Sequence, residues 1–284
     1  MEMTDANLAF ILIIISAMVL AVLNAIFKSG QSMLGIRLAM SFSYGSLGVL
    51  MLPFVPLPSS ELATILALTM VVHFAYQQAQ VAAYTETDLT IAYPVSRGTA
   101  PLVVAVIAPF LLGDELTIHS LAGVIVISLS VLSLGWGRGA QATQKGLLLS
   151  LALGLGVAGY TLTDAWGMRV ANTPITFMVW FFAIDWILMT LWSRWRVGPK
   201  LWTLVRVDAV RGSICGFLGI FSFGFGFYAF RIGNVAELAA LREVSIIFAA
   251  IISFVFLGEQ VSRRRIFAIA GILAGVLIIR LASS

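Results

Sequence analysis

Seven ionisable side chains, His73, Arg97, Asp164, Asp185, Glu237, Arg242 and Glu243, fall inside long apolar stretches of this 284-residue sequence. A charge at membrane depth costs at least about 2.5–3.5 kcal/mol on insertion scales, so each needs a partner, a watery cavity or a task. Arg97 and Arg242 each offer a planar fork of donors that matches a carboxylate or phosphate, and together they read as a clamp for an anionic group. The alternative is a structural role, pairing with Glu243, Glu237 or Asp164. Glu237 and Glu243 are six residues apart, which on a helix separates them by about 9 Å and turns them to different faces, so they do not make a dyad. Glu243 is placed with the substrate, where it meets an amine, unless it serves in a plain salt bridge.

Asp185 lies midway along an apolar run beside Trp186, and with Glu237 it is a candidate carrier of a coupling proton. Asp164, near the end of its run, reads as interfacial. His73, Tyr76, Gln77, Gln80 and Tyr84 follow one another at helical spacing. A polar stripe on a membrane helix faces protein or water rather than lipid, so His73, Gln77, Gln80 and Tyr84 are expected to line a cavity; interhelical hydrogen bonding is the alternative. Tyr93, Trp180 and Tyr228 add aromatic surface, and Tyr228 is included among the substrate-binding residues. There is no HExxH, no GxSxG and no Cys/His cluster, and Cys215 is alone, so neither catalytic residues nor a metal nor a cofactor are expected.

The elements that must hold these side chains are set by composition. Sixty per cent of the residues are hydrophobic and 11 per cent charged, against about 25 per cent charged in soluble domains, so the chain is solvated by lipid. Crossing the hydrocarbon takes about 20 helical residues. Runs of that order fall at 8–28, 33–52, 61–84, 90–112, 118–136, 145–166, 174–193, 208–230, 235–257 and 264–281. The expectation is an all-α integral membrane protein of ten transmembrane helices. Glu2 and Asp5, with no Lys or Arg before the first run, make that run a helix rather than a secretory leader.

The sequence repeats itself. Phe110-Leu-Leu-Gly-Asp-Glu-Leu116 and Val255-Phe-Leu-Gly-Glu-Gln-Val261 superpose at an offset of 145 residues, and the same offset carries Arg97 onto Arg242. Five-helix halves, 1–140 and 141–284, joined after an odd number of spans enter the membrane in opposite senses, an inverted repeat of the kind that builds secondary transporters. The repeated Gly-Asp-Glu and Gly-Glu-Gln turns read as helix punctuation, Gly ending one helix and the acidic residue favouring the start of the next. Gly271 and Gly275 suit close helix packing within the chain or a dimer face, which leaves monomer and homodimer both open.

Of the 17 Lys and Arg, 12 lie in the connections that follow the odd-numbered helices or on the adjoining helix ends: Lys28, Arg37, Arg138, Lys145, Arg194, Arg196, Lys200, Arg206, Arg211 and Arg263, Arg264 and Arg265. The opposite face has only Arg169, Arg231 and Arg280. By the positive-inside rule the first set is cytoplasmic and both termini are outside. Basicity of this kind is topological and argues for the lipid bilayer, not nucleic acid, as partner.

Asn24, Arg37, Ile91-Ala-Tyr-Pro94 leading to Arg97 and Pro101, Leu112-Gly-Asp-Glu115, Leu257-Gly-Glu-Gln260, and Gly271 with Gly275 occur in an order and spacing that resemble the EamA family of the drug/metabolite transporter superfamily, over nearly the whole chain. The resemblance implies an exporter or facilitator of a small metabolite such as an amino acid or organic acid, with a cavity between two halves; the expected location is a bacterial inner (plasma) membrane, and the buried carboxylates leave proton coupling as an option. It also implies cytoplasmic termini, opposite to the charge count. Translocation of a lipid or lipid-linked precursor, or a structural membrane subunit, are the alternatives. The charges at 237, 242 and 243 depart from the family's less charged ninth helix.

Overall fold

In the computed structural model, residues 4–135, 143–257 and 262–282 are described, and among them the chain is helical, without strands. The helices are α1 (Asp5–Lys28), α2 (Met33–Met51), α3 (Ser60–Glu86), α4 (Leu89–Leu112), α5 (Ile118–Ser133), α6 (Gln144–Val170), α7 (Pro174–Val197), α8 (Lys200–Val207), α9 (Ala209–Ile232), α10 (Val235–Leu241), α11 (Ser245–Leu257) and α12 (Arg263–Ala282). Nine segments among the described residues are long and apolar enough to cross a membrane, Val235–Val255 counting as one; α5, at 16 residues, is shorter. Gly258-Glu-Gln260, Arg138 and the junction between the halves lie outside the described residues.

Local chemistry explains the helix boundaries. Thr4, Ser32, Ser59, Asp88, Thr117, Thr143, Thr173 and Asn234 each accept a backbone amide of the helix they precede, satisfying donors that a helix start leaves free. The Thr90 amide and hydroxyl hold Asp88 below the usual carboxylate range. Gly113 ends α4 at φ 70°, a left-handed position where a Cβ would be strained. Asp114 does not cap the following helix as the turn pattern implies. Thr117 takes that place, and Asp114 instead accepts from Val235 N at the start of α10 (2.7 Å).

Packing is between helices distant in sequence. α1 lies on α9, α6 on both α3 and α4, α2 on both α7 and α9, and α5 on α12. Ser16 and Ser222 exchange hydrogen bonds with one another's carbonyls (2.6 and 3.0 Å), tying α1 to α9. A Cβ on Gly275 would stand 2.8 Å from Gly123 O, and one on Gly123 would stand 2.9 Å from Gly275 O. This glycine pair therefore lets α5 and α12 touch backbone to backbone. The packing surface around Gly275 is used inside the chain.

Three sequence expectations are corrected here. The connection after α7 contains the short helix α8, whose Leu201 is buried and whose Trp202 stacks on Phe42 at 5.8 Å. The span over 235–257 is broken by a 3-10 turn at Arg242–Val244. Asp164 is not interfacial, because α6 continues to Val170 and Asp164 is fully buried.

Candidate functional site

The buried charges gather into two clusters. In the first, α4 and the 3-10 turn after α10 bring Arg97 against Glu243: Nε donates to Oε2 at 3.1 Å, and the terminal nitrogen stands 3.1 Å from Oε1. Both groups are buried, so each offsets the desolvation of the other. Arg97 also lies 6.0 Å from the Tyr93 ring centre. Arg242 is only 4 % exposed, its Nε has no hydrogen-bond partner among the described residues, and its guanidinium lies 5.2 Å from the Phe223 ring centre.

Arg97 and Arg242 together border two small cavities. One, of about 60 Å³, is walled by Asn24, Tyr76, Gln80, Tyr84, Tyr93, Ser96 and Tyr160; the other, of about 10 Å³, is walled by Pro101, Thr161, Phe230 and Glu243 among others. At about 10–15 Å³ of such space per water, the larger holds a few waters. On the other side of α10 a wider cavity of about 460 Å³ opens among Arg169, Arg231, Glu237, Leu238, Leu241 and Arg280. Leu238 and Leu241 line this mouth while Ala239, Arg242 and Glu243 line the inner space, so α10 and its turn form the partition.

The rim of the mouth is clasped. Arg169 donates to Asp114 Oδ1 (2.6 Å), Leu112 O (3.1 Å), Phe230 O (3.2 Å) and Gly233 O (2.9 Å). Arg231 donates to Met168 O (2.6 Å) and Ala171 O (2.9 Å). The cations thus meet the free carbonyls at the ends of α4, α6 and α9, where helix dipoles favour positive charge.

In the second cluster His73 of α3 stands between two carboxylates. Its Nε2 is 3.1 and 3.2 Å from the Asp164 oxygens, and its Nδ1 is 3.4 Å from Asp185 Oδ1. Asp185 also accepts from Gln77 (3.3 and 3.4 Å) and from the Tyr44 hydroxyl. Arg37 is buried, with its guanidinium 5.8 Å from the Tyr76 ring centre.

The sequence-derived residues therefore divide. Arg97, Arg242, Glu243, Gln80 and Tyr84 surround or border the arginine cavities. His73, Gln77 and Asp185 belong to the second cluster with Asp164. Glu237 is at the mouth, and Tyr228, 37 % exposed on α9, borders neither cavity. Trp180 donates to Pro56 O (3.0 Å) at the surface. Sequence reading placed Arg37 at the entry of the second helix and counted it with the cytoplasmic charges, not with the buried cluster, and it missed Tyr44 and Tyr160. The available clue was that Arg37 follows the cap Ser32 by more than a helical turn.

A multi-pass integral membrane protein with charge pairs enclosed between its helices is the class this fold and site define. Residues 144–281 match the model of the EamA-like transporter family, so the second half of the chain is similar to that family. A solved structure described as "Crystal structure of protein" superposes with a TM-score of 0.70 at 18 % identity, covering 97 % of this chain and 96 % of that one; at this identity the likeness shows the fold. No curated protein matches the chain.

Proposed function

We propose that this protein is a secondary transporter, an exporter or facilitator of a small anionic metabolite such as an amino acid or organic acid, working by alternating access in a bacterial inner membrane. The observation that carries the reading is Arg242: a buried guanidinium without a partner at Nε, bordering a small cavity with Arg97. A buried cation left short of partners is completed by an incoming carboxylate. The cavity is too small for such a ligand at about 60 Å³, since binding pockets run to about 300 Å³ or more, so the helices around it have to move apart for substrate to bind.

The moving parts are ten transmembrane helices in two inverted five-helix repeats, 1–140 and 141–284, with α5 as the short fifth span and α10 with α11 as the ninth. The packing supports this. Exchanging the halves turns the α1–α9 contact into the α3–α6 contact and returns α2–α7 and α5–α12 to themselves. The mouth then opens when α10 and its turn shift away from the arginines.

The test is uptake of labelled amino acids and organic acids into proteoliposomes by wild type, Arg97→Gln and Arg242→Gln, in protein shown to remain folded. A charge-assisted hydrogen bond is worth about 1.5–3 kcal/mol, so Arg242→Gln lowers subsaturating flux by about ten- to a hundredfold. Saturable wild-type flux unchanged in Arg242→Gln would make the arginine structural. No flux of any substrate would remove the transport reading.

A further inference from the structure

We propose that His73, held between Asp164 and Asp185, is the proton-binding site that couples substrate movement to a proton gradient; the coupling rests on the transporter reading, the proton site does not. A neutral imidazole has one N–H and one lone pair. Here both ring nitrogens face carboxylate oxygens, Nε2 at 3.1 and 3.2 Å and Nδ1 at 3.4 Å. With both aspartates ionised and the ring neutral, one nitrogen lone pair would oppose a carboxylate lone pair. The arrangement is complete only with one more proton, shared between Nδ1 and Asp185.

The fold does not ask for this cluster. The offset of 145 that carries Arg97 onto Arg242 pairs His73 with Leu218, Asp185 with Met40, Asp164 with Val19 and Arg37 with Phe182. Every counterpart at that offset is apolar, so the repeat does not duplicate the cluster. Its members come from both halves, His73 and Arg37 from the first and Asp164 and Asp185 from the second, and a set of buried charges that meets between the halves without a symmetric copy points to a task.

Charge balance supplies the coupling. At membrane depth the buried cations are Arg37, Arg97 and Arg242, and the buried anions Asp164, Asp185 and Glu243. With His73 neutral these cancel, and a proton on His73 leaves one positive charge, which a monoanionic substrate at Arg242 offsets. Tyr160 links the clusters, its ring 5.0 Å from that of His73 and its side chain lining both cavities that Arg242 borders. Around the imidazole stand Asp164 and Tyr160 from α6, Asp185 from α7, Arg37 and Tyr44 from α2, and Tyr76 from α3 itself. In the proposed step a proton from a water-borne hydronium forms the Nδ1–H bond, leaving water, and the bond breaks again to water at the opposite face. Loss of the proton removes the His73–Asp185 attraction and leaves α3 and α7 joined by the Gln77–Asp185 hydrogen bonds, so the proton strengthens one of the ties between these helices.

The experiment exploits the protein's having only two histidines. Full-length protein labelled with ¹⁵N-histidine in nanodiscs, with the exposed His119 replaced (His119→Gln), reports His73 alone by NMR between about pH 5 and about pH 9, which brackets ordinary imidazole titration. The expected result is a doubly protonated ring over part of this range, converted to a single neutral tautomer in Asp185→Asn. A single neutral tautomer at every pH in the unmodified cluster overturns the site. For coupling, proteoliposomes clamped at zero membrane potential carry a pH gradient of one unit, which drives about tenfold accumulation if one proton accompanies each substrate. In His73→Gln the ratio of gradient-driven accumulation to substrate counterflow falls about tenfold, and in Asp185→Asn it falls as well. An unchanged ratio in both variants overturns the coupling even if the imidazolium is seen. Absence of counterflow in wild type instead overturns the transporter reading, and the coupling with it, while leaving the NMR result to decide the proton site.

Discussion

Among single residues, the pairing of Arg97 with Glu243 makes the sharpest stability prediction. Removing one partner of a buried ion pair leaves an uncompensated charge, at a cost of about 3–5 kcal/mol. Glu243→Gln therefore lowers the thermal stability of the detergent-solubilised protein strongly, and Arg97→Gln added to it restores part of the loss; additive losses would show that the two do not interact. The sequence made these residues visible because charges inside apolar runs stand out, and the repeat offset put Arg97 and Arg242 together. Which acid meets which arginine was not legible, since it depends on the turn at Arg242–Val244 that points Glu243 at α4. Tyr228 stands apart from the other candidates for a related reason. On a helix apolar all round, periodicity does not separate the lipid face from the protein face, and Tyr228 is on the outer one.

Among elements, α5 and α12 are held at backbone distance by Gly123 and Gly275. Gly275→Leu forces them apart and destabilises the protein by about 1–3 kcal/mol, the usual cost of overpacking, read as a lowered midpoint of thermal unfolding. An unchanged midpoint would mean that the helices separate freely. Most helix boundaries were legible because caps and prolines mark them, as Ser32, Ser59 and Thr173 do. α8 was hidden because its amphipathic pattern spans only 8 residues amid a run of basic side chains that reads as a connection. The break after α10 was hidden because neither Gly nor Pro marks it; buried Arg242 and Glu243 occupy the tight turn instead.

Across the whole molecule, the positive-inside rule makes a prediction about which way up the chain sits. Arg37 is buried and drops out of the count, which leaves 11 cations in the connections assigned to the cytoplasm against Arg169, Arg231 and Arg280 on the other face. In a Cys215→Ser background, an impermeant maleimide applied to intact cells is expected to label Leu57→Cys, whose native side chain is 82 % exposed, and to spare Lys200→Cys. The reverse pattern would put the termini in the cytoplasm, as the family resemblance implies. The two-half plan is proposed from the 145-residue offset, whereas the clasp at the mouth had no trace in the sequence, because its bonds join side chains to carbonyls that carry no sequence signature. That clasp orders events at the ribosome. Asp114 emerges 55 residues before Arg169 and 121 before Val235, so the first half is synthesised with a carboxylate whose partners do not yet exist. Helices α4 and α5 can pack on one another as soon as both exist, but the clasp closes only once α6 and the α9–α10 junction have been made.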